Sequence, residues 1–107
     1  MSARKEIDAV FRRGRYHRLG ILHAKTLRAS GPQARLLISV KKAVGSAPQR
    51  NRIKRLVREA FRHERGGLAE PHDICLFLTA RPPWPLHQAV ITAELRRLIE
   101  RLNASPH

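Results

Sequence analysis

The segment from Arg50 to Arg62, Arg-Asn-Arg-Ile-Lys-Arg-Leu-Val-Arg-Glu-Ala-Phe-Arg, constrains this chain more than any other. At roughly 100° per residue, Ile53, Leu56, Val57, Ala60 and Phe61 fall on one stripe, while Asn51, Lys54, Arg55, Arg58 and Arg62 fan across the other side. One face belongs to a core and the other meets a polyanion. A merely solvated face usually mixes signs to gain i,i+4 pairs, whereas seven Lys/Arg between Arg50 and Arg65 meet only Glu59 and Glu64.

The whole chain repeats that bias, with 22 Lys/Arg against 8 Asp/Glu and a formal charge of +14. Such charge repels itself in a compact state, so an anionic partner is expected, and nucleic acid is the first choice. A membrane surface is a poor alternative, because no single long helix pairs a Trp/Phe-rich face with a basic one. No apolar run approaches the roughly 20 residues of a spanning helix. Ser2 to Lys5 leads into Glu6 and Asp8 rather than into an apolar signal core, which predicts a cytoplasmic protein. At 107 residues and 42% apolar content, one domain spanning 1–107 with a modest core is expected.

Ala3 to Arg13 carries a helical stripe of Ala3, Ile7, Val10 and Phe11, ending where Gly14 can supply a left-handed cap. Leu19 to Leu27 and Ala34 to Val40 are dense in apolar residues without helical period, and Ala29 to Pro32 between them is turn chemistry. Two antiparallel strands joined by a loop are expected. Gly45, Ser46 and Pro48 place the start of the basic helix near Gln49 or Arg50, and Gly66 and Gly67 end it. Asp73 to Ala80 reads as a strand, and Leu86 to Leu102 as a closing helix. The order helix, two or three strands, helix, strand, helix predicts an α+β sandwich with helices on a mostly antiparallel sheet.

Chemistry is scarce in this inventory. The acidic residues lie mainly at helical positions beside Lys or Arg, where ion pairing is the commoner role. The six histidines form no i,i+4 pair on a helix and have the single Cys75 for company, so no zinc site is expected and the thiol reads as buried. His17 and His23 suit either a ligand surface or a solvated strand edge. The glycines match neither dinucleotide nor P-loop spacing. What remains is positive charge in three zones: Arg4 to Arg18, Lys41 with Lys42, and Arg50 to Arg65.

The stretch from Val40 through Lys41, Lys42 and Gly45 into Arg-Asn-Arg-x-Lys-Arg-x-x-Arg-Glu-x-Phe-Arg resembles the signature of the protein subunit of bacterial ribonuclease P. The likeness covers nearly the whole chain, including Val10-Phe11-x-x-Gly14, the strand after Asp73 and the Leu-rich closing helix. It implies the order α-β-β-β-α-β-α, a four-stranded sheet, and a left-handed crossover around the basic helix. It implies a protein without catalytic side chains or a metal site of its own. Such a subunit assists a catalytic RNA that removes the 5′ leader of precursor tRNA with RNA-bound Mg2+. Carried over by position, Lys41, Lys42, Arg50, Asn51, Arg52, Lys54, Arg55, Arg58 and Arg62 face the catalytic RNA. Arg50 suits bracing of the fold as well. Ile7 and Phe11 line a cleft for the single-stranded leader; Ile7 stands where an aromatic ring is usual, and Phe11 suits a core role equally. Ala43 stands where a lysine is usual, and the family commonly has further basic residues before the first helix. A small ribosomal protein shares the charge and fold class. A DNA-reading helix lacks a helix-turn-helix partner here.

Overall fold

A computed structural model describes residues 4–104. Three helices, α1 (Arg4–Arg13), α2 (Ala47–Glu64) and α3 (Gln88–Ala104), combine with strands β1 (Arg15–Arg18), β2 (His23–Arg28), β3 (Arg35–Ser39) and β4 (His72–Phe77). Ala3, assigned to the first helical stripe, lies outside the described residues. The strands form one sheet in the order β1-β2-β4-β3, antiparallel except for the β3–β4 pair, which is parallel.

The two strands joined by the Ala29–Pro32 loop run antiparallel as expected, but they do not form a hairpin. The strands on either side of the Ala29–Pro32 turn are not neighbours, because β4 lies between them and pairs with both. Parallel neighbours need a long crossover, and α2 supplies it. β4 is buried from His72 to Leu76, which explains its nearly continuous apolar run. The strand over Leu19 to Leu27 begins only at His23. Leu19 and Leu22 are instead buried in a turn closed by Leu19 N–H donating to the Leu22 carbonyl at 3.0 Å.

The two faces of the sheet do different work. Ala24, Thr26, Leu36, Ile38, Ile74 and Leu76 share one face by strand alternation and meet α2 and α3. Ile53, Leu56, Val57, Ala60 and Phe61 of α2 are all buried, as are Ile91, Leu95, Leu98, Ile99 and Leu102 of α3. Against the opposite face lies α1, with Val10 fully buried. Arg35 locks it there: Nε and Nη2 each donate to the Asp73 carboxylate at 2.8 Å, while Nη1 pairs with Glu6 of α1.

Helix α2 starts earlier than expected. Ser46 Oγ accepts from Gln49 N–H at 3.3 Å and Gln49 Oε1 accepts from Ser46 N–H at 3.0 Å, so Pro48 sits inside the first turn, where no intrahelical donor is needed. Gly14 is needed for a different reason from the expected left-handed cap. A Cβ there would lie 2.1 Å from the Val10 carbonyl oxygen, which already accepts the Gly14 N–H at 2.8 Å.

The β1–β2 turn is held by α3. Glu94, 5% exposed, accepts the Ile21 N–H at 3.0 Å and the Leu22 N–H at 2.7 Å, and a Cβ on Gly20 would stand 2.8 Å from its Oε2. Arg101 donates to the Arg18 carbonyl at 3.1 Å, and Arg97 Nη2 donates to the Leu19 carbonyl at 2.5 Å. Glu94→Ala strands two N–H groups at about 1–3 kcal/mol each. A loss of about 2–4 kcal/mol is expected in urea denaturation; a loss under about 1 kcal/mol would remove the latch from the account.

Candidate nucleic-acid interface

Once the apolar stripe of α2 is buried, its other side faces water. Asn51, Arg52, Arg55, Arg58 and Arg62 are exposed, and Arg50 and Lys54 are half-buried. Pro48, Asn51, Arg52 and Arg55 border a shallow depression of about 240 Å³. Cations in the first turn oppose the helix dipole, and no acidic residue stands there. An anion at this end would be held by side chains and dipole together.

The basic residues of α2 are not equivalent. Glu59 accepts from Arg62 Nη2 at 2.6 Å and lies 3.0 Å from His63 Nε2; Arg62 first, then His63, holds its carboxyl below the usual range. Glu64 pairs with Arg96 of α3 at 2.9 Å, which lowers its carboxyl likewise. Both acids of α2 therefore serve its C-terminal half. Among the described residues, Arg52, Lys54, Arg55 and Arg58 have no carboxylate within ion-pair distance. Arg50 reaches back to the Gly45 carbonyl at 3.5 Å, which favours its bracing role.

A second feature lies on the α1 face of the sheet. A cleft of about 500 Å³ is lined by Phe11, Lys25, Ser39, Lys41, Ala43, Val44, Phe77, Leu78 and Thr79. It opens between the end of α1, β2–β4–β3 and the turn at Lys41 to Val44. Phe11 is 41% exposed, so the buried apolar anchor of α1 is Val10 and not Phe11. Lys25 Nζ stands 5.6 Å from the Phe11 ring centre and donates to the Phe11 carbonyl at 2.9 Å, tying a cation to an open aromatic face. Ile7 is half-buried one turn earlier on α1 and is not among the lining residues. Lys41 joins the cleft wall, and Lys42 is exposed beside it.

Strand alternation separates the two candidate histidines. His17 points to the α2/α3 side, 6% exposed, with Nε2 3.1 Å from Thr26 Oγ1. Burial pushes its pKa down, and Arg101, Arg15 and His72 add to the shift. Its role is in the fold. His23 shares the cleft side with Lys25 and Phe77 and bonds to the Tyr16 hydroxyl and to Thr79 Oγ1. Sequence alone leaves open which of Leu22, His23 and Lys25 faces the cleft, and gives no sign of Phe77 or Tyr16, because facing depends on a register that local pattern does not specify. Among the described residues, no three His, Cys, Asp or Glu side chains group as metal ligands would, and no helix is long and apolar enough to cross a membrane.

Comparison with known proteins gives this geometry its relatives. The family model Ribonuclease P matches residues 1–103. The chain belongs to the ribonuclease P protein family. The ribonuclease P protein component of Exiguobacterium sp. is 35% identical over 97 residues, which cover 91% of this chain and 83% of that protein. That of Shouchella clausii is 33% identical over 99 residues, 91% of this chain and 80% of its own. Among solved structures, the RNase P protein from Thermotoga maritima superposes with a TM-score of 0.79 at 24% identity, covering 94% of this chain and 94% of its own. The RNase P protein of Staphylococcus aureus gives 0.79 at 22% identity, over 94% of this chain and 92% of its own. The four-stranded α+β architecture is thus that of the ribonuclease P proteins.

The buried His17 yields a pH dependence. Its folded-state pKa lies below the ordinary 6.5, so the unfolded chain takes up the extra proton first. This contribution is complete above 6.5 and is lost as pH falls through and below that value. The depressed Glu59 and Glu64 act in the same direction only below 4.5. Denaturation midpoints of wild type should fall between about pH 7 and pH 5 more steeply than those of His17→Asn. Parallel profiles would remove His17 as the source.

Proposed function

We propose that this chain is the RNA-binding protein subunit of the ribonuclease P ribonucleoprotein, acting in the cytoplasm as a single domain. In this reading it binds the catalytic RNA and the 5′ leader of precursor tRNA, and so assists endonucleolytic release of the mature 5′ end. The hydrolysis of the phosphodiester belongs to Mg2+ ions held by the RNA. The observation that carries the reading is the outward face of α2, where Asn51, Arg52, Arg55 and Arg58 are exposed and, among the described residues, no carboxylate pairs with Arg52, Arg55 or Arg58.

Each part has a role that follows from its chemistry. Guanidinium groups bind phosphate oxygens bidentately, so Arg52, Arg55 and Arg58 act as phosphate clamps that Lys would replace poorly. Lys54 adds a point charge, and Asn51 a donor and an acceptor. Arg62 contributes less while Glu59 holds it. Lys41 and Lys42 extend the positive surface from α2 to the cleft. There Phe11 offers a stacking face that tolerates any base, which suits a leader of variable sequence. Ile7, half-buried one turn earlier on α1, is the second leader-cleft residue of this reading and offers a base an apolar contact without a π-face.

The direct test is cleavage of a precursor tRNA by the cognate catalytic RNA at low Mg2+, with and without this protein. Acceleration with a correct 5′ end is expected; RNA binding that leaves cleavage unaltered would favour a structural binder of ribosomal type. Arg55→Ala and Arg58→Ala should each weaken RNA binding and lower the salt slope by about one unit while the domain stays folded. Glu59→Gln should do the opposite, freeing Arg62 and steepening the slope by up to about one unit. Unchanged slopes in all three would take α2 out of phosphate contact.

A further inference from the structure

Tyr16 is exposed in an unusual way. A surface tyrosine normally leaves its hydroxyl in water and covers its ring. Here the hydroxyl turns inward to Nδ1 of His23, itself 8% exposed, while the residue as a whole remains 50% exposed. What Tyr16 presents to water is therefore mostly apolar ring.

The ring is also held in place. His23 stacks on Phe77 with centroids 5.5 Å apart and planes 21° apart, and its Nε2 lies 3.2 Å from Thr79 Oγ1. Tyr16 packs against both aromatic neighbours, 5.8 Å from His23 and 6.3 Å from Phe77. Phe77 and Thr79 line the cleft wall, and Tyr16 is the sheet partner of Lys25, the cation that sits over Phe11. Phe11 and Tyr16 are two of the three large apolar residues exposed among those described, and Lys25 neighbours both, across the strand from Tyr16 and with its ammonium over the Phe11 ring. Two open rings on one side of the sheet, with an ammonium over one of them, suit successive bases and a phosphate of a single strand.

The geometry points to Tyr16 as a second base-stacking platform just outside the cleft, beside its wall residue Phe77 and oriented by His23, that receives a further nucleotide of the single-stranded RNA on Phe11. This inference rests on the proposed leader-binding role of the cleft. His23 acts as a positioning residue.

The test measures binding of the reconstituted ribonucleoprotein to precursor tRNA and to mature tRNA, with Phe11→Ala as reference. Tyr16→Ala should cut the preference for precursor by about tenfold, and Tyr16→Phe should keep most of it. Tyr16→Leu, which preserves bulk without the π-face, should behave as Tyr16→Ala, and circular dichroism shows whether each variant is folded. Because Tyr16 is the chain's single tyrosine, its ring signals in NMR report directly, and a single-stranded RNA oligonucleotide should shift them upfield. If Phe11→Ala weakens precursor binding while Tyr16→Ala and the ring signals show no effect, the platform is refuted and the leader cleft stands. If neither variant alters the preference, the leader reading falls and the inference falls with it.

Discussion

The pairing of β3 with β4 is the constraint on which the rest of this molecule depends. Two parallel neighbours cannot be joined by a tight turn, so the 18-residue α2 must leave one end of the sheet and return to the other. Its apolar stripe is consumed in covering the sheet, and its charged side has only solvent to face. The same crossover makes β4 an inner strand, with β2 on its other flank and α1 left to the opposite face. The basic helix and the aromatic cleft are thus two results of one topological choice.

The distribution of negative charge follows from that frame. Six of the eight carboxylates have structural partners. Glu6 and Asp73 flank Arg35, Glu59 holds Arg62, Glu64 holds Arg96, Glu70 pairs with Arg28, and Glu94 accepts backbone N–H groups. None of these is placed against the first three turns of α2. The excess of cations is therefore local as well as global, and the helix end that attracts anions by its dipole is the end with the bare arginines.

How much of this could be read from residues alone varies with the range of the information. α2 and α3 were legible because a 3.6-residue period is a local property, and the five buried side chains of α2 are those its stripe names. The strand order was not, because apolar runs such as Ala34–Val40 look the same whichever neighbour they take. β1 leaves almost no trace: Arg-Tyr-His-Arg has one buried side chain, a histidine, so the residues leave two or three early strands open and the family resemblance is what implies the third. The basic half of the interface was legible because charge and period coincide within one helix. The cleft was legible only at Phe11, since Lys25, Phe77 and Tyr16 come together through cross-strand register. Gly14 reads in the sequence as a left-handed cap, whereas the structure needs it for the close approach of the Val10 carbonyl.

The latch between Glu94 and the β1–β2 turn has a bearing on how the protein comes off the ribosome. The first hairpin emerges early, yet its turn finds its hydrogen-bond acceptor only when the last helix appears, and β2 finds its inner neighbour only after α2 has been made. A nascent chain stalled before residue 94 holds every arginine of the basic helix and all four strands, yet lacks most of the helix that packs beside α2 and the carboxylate that fixes the β1–β2 turn. Vectorial synthesis therefore leaves the core beneath the basic helix incomplete until α3, the last element of the chain's described residues, has been made.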